Sequence, residues 1–121
     1  MTILLVMLAG GAGAVARFVL GGLISSRFRG ELPLGTILVN VSGSLLIGLL
    51  AGAVIFHGAP AALQTVLGTG FLGGYTTFST ASVDTVRLLQ SRRPVLALIN
   101  AAGTLIMTVV AAAAGLALTL L

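Results

Sequence analysis

Gly68-Thr69-Gly70-Phe71-Leu72-Gly73-Gly74-Tyr75-Thr76-Thr77-Phe78-Ser79-Thr80 is the stretch that decides how this chain folds. It lies inside an apolar segment running from about residue 60 to residue 90, longer than the roughly 20 residues that take a helix across a bilayer. Gly68, Gly70, Gly73 and Gly74, followed by the hydroxyls of Tyr75, Thr76, Thr77, Ser79 and Thr80 around Phe78, weaken a helix at mid-membrane. The pattern predicts a break near residues 73–78. Backbone freed from helical bonding at that depth is tolerated only where it is buried in protein or lines a cavity. Glycines alone read equally well as a helix-packing surface; the hydroxyl cluster favours a functional break.

Three further apolar stretches, at about residues 2–24, 33–56 and 94–121, give four membrane spans in a single domain over residues 1–121. Pro33, Pro60 and Pro94 each open a stretch, where proline is tolerated because the amide it lacks would be unpaired anyway. Composition agrees. With 58% hydrophobic and 7% charged residues and a mean hydropathy of +1.22, the chain is too poor in charge for a water-covered surface, and the lipid bilayer is its solvent. The absence of cysteine excludes disulfides and thiolate metal sites. The formal charge of +4 comes from scattered arginines without the basic and aromatic clusters of nucleic-acid binders, so no nucleic-acid partner is expected. The N-terminus has no basic region of the kind that marks a cleaved signal peptide.

Polar groups inside the spans carry the functional signal. Arg17 is the positive charge within the first span, either snorkelling and bonding carbonyls or lining an anion-attracting vestibule. Thr36 and Asn40 share one face of the second span; Asn100, Thr104 and Thr108 form a stripe along the fourth. Hydrogen bonding between helices accounts for any one of them. Together with Ser79 and Thr80 they describe a polar track whose amides and hydroxyls can donate to an anion or coordinate a cation. The scarcity of intramembrane acids argues against a proton-coupled pump. His57, in a loop, has no nucleophile and carboxylate arranged around it, so no enzyme is expected.

Gly10-Gly11-x-Gly13-Ala14-x-Ala16-Arg17, Pro33-Leu34-Gly35-Thr36 with Asn40 and Gly43, and residues 70–80 resemble, in order, the motifs of the Fluc/CrcB fluoride channels. The resemblance implies a passive fluoride exporter of the cell membrane that protects against fluoride toxicity, built as an antiparallel dimer with two ion pathways. It implies a structural sodium ion (Na+) at the dimer centre, held by the backbone carbonyls of Gly73 and Thr76. The family's pore asparagine falls on Asn40 and its first pore phenylalanine on Phe78. The polar track falls on Thr36, Ser79, Thr80, Asn100, Thr104 and Thr108, and the vestibule arginine on Arg17. Where similar proteins carry a second phenylalanine this chain has Ala81, and where they carry glutamate it has Asp84; loss of one ring edge should weaken a fluoride contact.

Arg27 and Arg29 lie in the first connection and Arg92 and Arg93 in the third, with Arg87 nearby, while the second connection and both termini have no arginine. The positive-inside rule then places the first and third connections in the cytoplasm and both termini outside. Antiparallel homodimers need a sequence that inserts both ways, so this bias raises the alternative of a heterodimer with an oppositely oriented homologue. Two other classes stand beside it: a small multidrug-type transporter, disfavoured because the first span has no acid and the chain has no tryptophan, and a non-conducting scaffold or accessory subunit.

Overall fold

The computed structural model describes residues 1–121 and is helical throughout. Helix α1 spans Thr2–Arg27 and α2 spans Leu34–His57. The third apolar segment forms two arms, α3 over residues 61–75 and α4 over Ser79–Gln90. Helix α5 covers Pro94–Leu118, and α1, α2 and α5 are each long and apolar enough to cross a membrane. The chain is thus an integral membrane protein of helical hairpins whose third segment is interrupted.

Local chemistry sets the ends. Helix α1 continues past residue 24 through Ser25 and Ser26 to Arg27, whose cation sits in the last turn against the negative end of the helix. Helix α2 stops at Gly58, which takes a left-handed conformation (φ 68°). Pro94 occupies the first turn of α5. Two stretches have wide π-helical turns, Gln64–Leu72 in α3 and Ile99–Gly103 in α5.

Packing follows two backbone-to-backbone seams. On the α1–α3 seam, a Cβ on Gly13 would overlap the Phe71 carbonyl, and one on Gly74 would overlap the Gly10 carbonyl. On the α2–α5 seam, Gly48 lies against the Ala112 carbonyl and Gly115 against that of Leu45. In lipid there is no hydrophobic drive between helices, so close approach through small residues supplies the attraction. Gly73 and Gly74 remain helical, and Gly74 serves the seam. The interruption falls on Thr76, Thr77 and Phe78 alone.

Val39, Leu72 and Tyr75 form a small buried cluster, packed by Ala16, Leu50 and Phe71. Only 15 of 121 residues are buried, so most large apolar side chains face outward, as a lipid-solvated chain requires. At one end Arg93 pairs with Glu31 at 2.7 Å, bringing the first and third connections, with their arginines, to the same side. At the other end His57 Nε2 meets the Thr119 carbonyl and ties the end of α2 to that of α5.

Candidate functional site

The gap between α3 and α4 spans Thr76, Thr77 and Phe78; the Thr76 N–H still donates to the Leu72 carbonyl and the Phe78 carbonyl still accepts from the Ser82 N–H, both at 2.9 Å, so the helical pattern is lost around Thr77. Thr76 is extended there (φ −82°, ψ 156°). Asn40, 7% exposed on α2, closes against the gap. Its Nδ2 donates to the Thr77 carbonyl and its Oδ1 accepts the Thr77 N–H, both at 2.8 Å. The Thr80 N–H donates to Thr77 Oγ1 at 3.2 Å. In an unbroken helix these two N–H groups would cover the carbonyls of Gly73 and Thr76, four residues earlier. Both are diverted to side chains, and the Gly73 and Thr76 carbonyls lose those partners. Next to them, Arg17 Nε donates to the Gly74 carbonyl at 3.2 Å, and Ser42 Oγ lies 3.0 Å from the Tyr75 hydroxyl.

Two clefts flank the break. The larger, about 530 Å³, runs between α2, the break, α4 and α5. It gathers Asn40, Thr76, Phe78, Asn100, Thr104 and Thr108 from the expected residues. No ionisable side chain lines it. The smaller cleft, about 310 Å³, gathers Arg17, Thr36 and Thr80 beside Ser25. The expected track is therefore divided. Thr36 and Asn40, one turn apart on α2, open into different clefts, with Thr80 on one side and Phe78 and Ala81 on the other. Ser79 lines neither cleft and lies 3.4 Å from Thr77 Oγ1. Gly73 lines neither and is exposed. Phe78 is 87% exposed.

Three polar residues of the larger cleft are not among those expected from the sequence: Ser44, Ser82 and Thr85. Ser44 could have been expected, since it continues the four-residue spacing of Thr36 and Asn40. These residues matter because hydroxyl protons are unevenly committed. Thr76, Thr85 and Thr108 donate back to the carbonyls of Leu72, Ala81 and Leu105. Ser44, Ser82 and Thr104 line the same cleft with hydroxyls that have no partner within the chain. The cleft can thus present neutral hydrogen-bond donors to a small anion without a fixed charge to trap it. On α5, Asn100 Nδ2 donates to Thr85 Oγ1 at 2.8 Å. Asn100 Oδ1 and Asp84 Oδ2 are buried without partners.

Comparison with known proteins gives a family match over almost the whole chain. The family model described as CrcB-like protein, Camphor Resistance (CrcB), matches residues 4–116. The chain is 48% identical over 116 residues to a protein named fluoride-specific ion channel FluC 1 from Leifsonia xyli subsp. xyli, covering 96% of this chain and 85% of the relative. It is 51% identical over 119 residues to fluoride-specific ion channel FluC 2 from Cutibacterium acnes, covering 98% and 97%. To fluoride-specific ion channel FluC 2 of Mycobacterium tuberculosis H37Rv it is 40% identical over 110 residues, covering 91% and 84%.

Proposed function

This chain belongs to the CrcB family, and from that membership we propose that it is a fluoride-specific ion channel, a passive exporter that lowers cytoplasmic fluoride across the cell membrane. The observation that carries the reading is the uncharged cleft beside the break. Fluoride is small and strongly hydrated, so a path must replace its water with close donors. Hydroxyls and amides on packed helices do this at little reorganisation cost, and neutral donors hold the ion weakly enough to release it. Asn40, Phe78, Asn100, Thr104 and Thr108 would line the route together with Ser44 and Ser82. Thr36, Thr80 and Arg17 would form its approach, where the guanidinium attracts anions. Ser79 would join from the exposed start of α4.

The working unit we assign is an antiparallel dimer. The Phe78 side chain is exposed beside a polar cleft that is open on one side, and a second copy of the chain would cover both. Gly73 and Thr76 fit a structural sodium ion at the dimer centre. Their carbonyls have lost their helical donors, Gly73 is on the open face, and unwound carbonyls suit a hard cation. Bound there, sodium would balance the negative ends of carbonyls from both subunits.

The one-sided arginines favour a second arrangement, in which the partner is a homologue of opposite orientation. The purified chain reconstituted in liposomes, with fluoride efflux read by electrode and chloride as control, tests all of this. Fast fluoride-selective efflux from the chain alone is the expected result and establishes the homodimer. Efflux only after adding an oppositely biased homologue would establish the heterodimer. Silence in both preparations would overturn the channel reading in favour of a scaffold.

A further inference from the structure

Thr85 is held on two sides. Its hydroxyl proton goes to the Ala81 carbonyl one turn earlier at 3.0 Å, so toward Asn100 it can only accept, and Asn100 Nδ2 donates to it at 2.8 Å. This decides which end of the Asn100 amide faces α4. Asn100 is 3% exposed, lies in the π turn Ile99–Gly103, and makes no other side-chain hydrogen bond. Its Oδ1 is buried without a partner. The bond to Thr85 is therefore what fixes the plane of an amide in a wide helical turn at the wall of the larger cleft.

We propose that Thr85 is a positioning residue for anion passage: it orients Asn100 so that the second Nδ2 proton, which no protein acceptor takes, is offered to the ion. The proposal rests on the channel reading. The position matters because Ala81, whose carbonyl anchors Thr85, brings no aromatic edge to this wall. An oriented amide proton adds a donor there beside the hydroxyls of Ser82 and Thr104. If the Thr85–Asn100 bond merely tied α4 to α5, its loss would lower the stability of the protein without slowing efflux through the folded channel.

The test uses the conducting preparation, homodimer or pair, with substitutions in this chain. Thr85→Val keeps shape and loses the hydroxyl; Thr85→Ser keeps the hydroxyl; Thr85→Ala serves if the valine variant does not assemble. The valine or alanine variant should slow fluoride efflux about tenfold, a typical cost for one misplaced polar contact. Thr85→Ser should stay within about twofold of the unchanged chain, and Thr85→Val with Asn100→Leu should be no slower than Asn100→Leu alone. The side-chain amide resonance of Asn100 in ¹⁵N-labelled protein should shift with valine and not with serine, whether or not ions move. Efflux from Thr85→Val within about twofold of the unchanged chain, an unmoved Asn100 resonance, or additive losses in the double variant would overturn the positioning role. Failure of the unchanged chain to conduct in any pairing would instead remove the channel reading beneath it.

Discussion

Asn40 and Thr77 are joined in both directions: the amide of one side chain gives to the carbonyl and takes from the N–H of a single backbone unit, each at 2.8 Å. The side chain replaces two helical hydrogen bonds at the depth where water cannot. Asn40→Leu should strand both groups, and at about 1–3 kcal/mol for each the loss should appear as a large drop in thermal stability in detergent. Asn40→Asp keeps the acceptor for the Thr77 N–H but sets a carboxylate oxygen beside the Thr77 carbonyl and brings charge to the cleft. Its stability loss should be smaller than that of leucine, while fluoride efflux should fall as far. Equal stability of the leucine variant and the unchanged chain would show that the clamp does not hold the break.

Gly13→Ala and Gly74→Ala should both loosen the α1–α3 seam, since the added methyl overlaps the Phe71 and Gly10 carbonyls, which are backbone and cannot turn away. Overpacking of this kind costs about 1–3 kcal/mol. Gly11→Ala is the control: no atom of the chain lies within 4 Å of its Cβ position, so alanine should be neutral or slightly stabilising. Melting curves of the three variants decide it, and equal melting temperatures would remove the seam as a source of stability.

Hydropathy and the three prolines made the helical membrane class readable, because spans must be long and apolar whatever they pack against. The two roles mixed in residues 68–80 were harder to separate. Gly70 and Gly74 are seam residues within a continuing helix, and the interruption belongs to Thr76–Phe78. Glycine composition cannot tell a packing face from a break, because both need the same missing side chain. The division of the polar residues between two clefts was also hidden: Thr36 and Asn40 share a helix face, yet α1 walls the cleft at Thr36 while α4 and α5 wall the one at Asn40. Nor does spacing reveal which hydroxyls are spent on their own helix, as those of Thr85 and Thr108 are, and which stay free, as with Ser82 and Thr104.

Sodium should stabilise the assembled protein. A cation that binds the folded dimer and not the unfolded chain raises stability as the logarithm of its concentration. Melting in sodium chloride should therefore exceed melting in choline chloride at equal ionic strength, with the difference growing as sodium rises. Asn40→Leu, which removes the clamp that holds the backbone at the break, should reduce that difference. Identical melting in the two salts would argue against a sodium site at Gly73 and Thr76.

Ala81→Phe should be accommodated and should quicken fluoride efflux. Ala81 lines a cleft of about 530 Å³, so the larger ring has space that a packed core would deny it, and the stability change should stay under about 1.5 kcal/mol. The ring edge adds a weakly positive surface facing the route. Slower efflux from a stably folded Ala81→Phe variant would mean that the open space itself is used for passage.

The arginine-rich end should face the cytoplasm. Glu31 and Arg93 meet at 2.7 Å, so the first and third connections share one end together with Arg27, Arg29 and Arg92. The pair itself is half exposed and contributes little to stability, and its value is in fixing which loops lie together. Charge in short loops sets orientation during insertion. A cysteine placed at Ala59, in the second connection, should therefore label from outside intact cells, and one at Ser91 should label only after permeabilisation. Equal labelling at both positions would mean that the chain inserts both ways, which is what a homodimer of antiparallel copies requires and what a committed partner to a homologue does not.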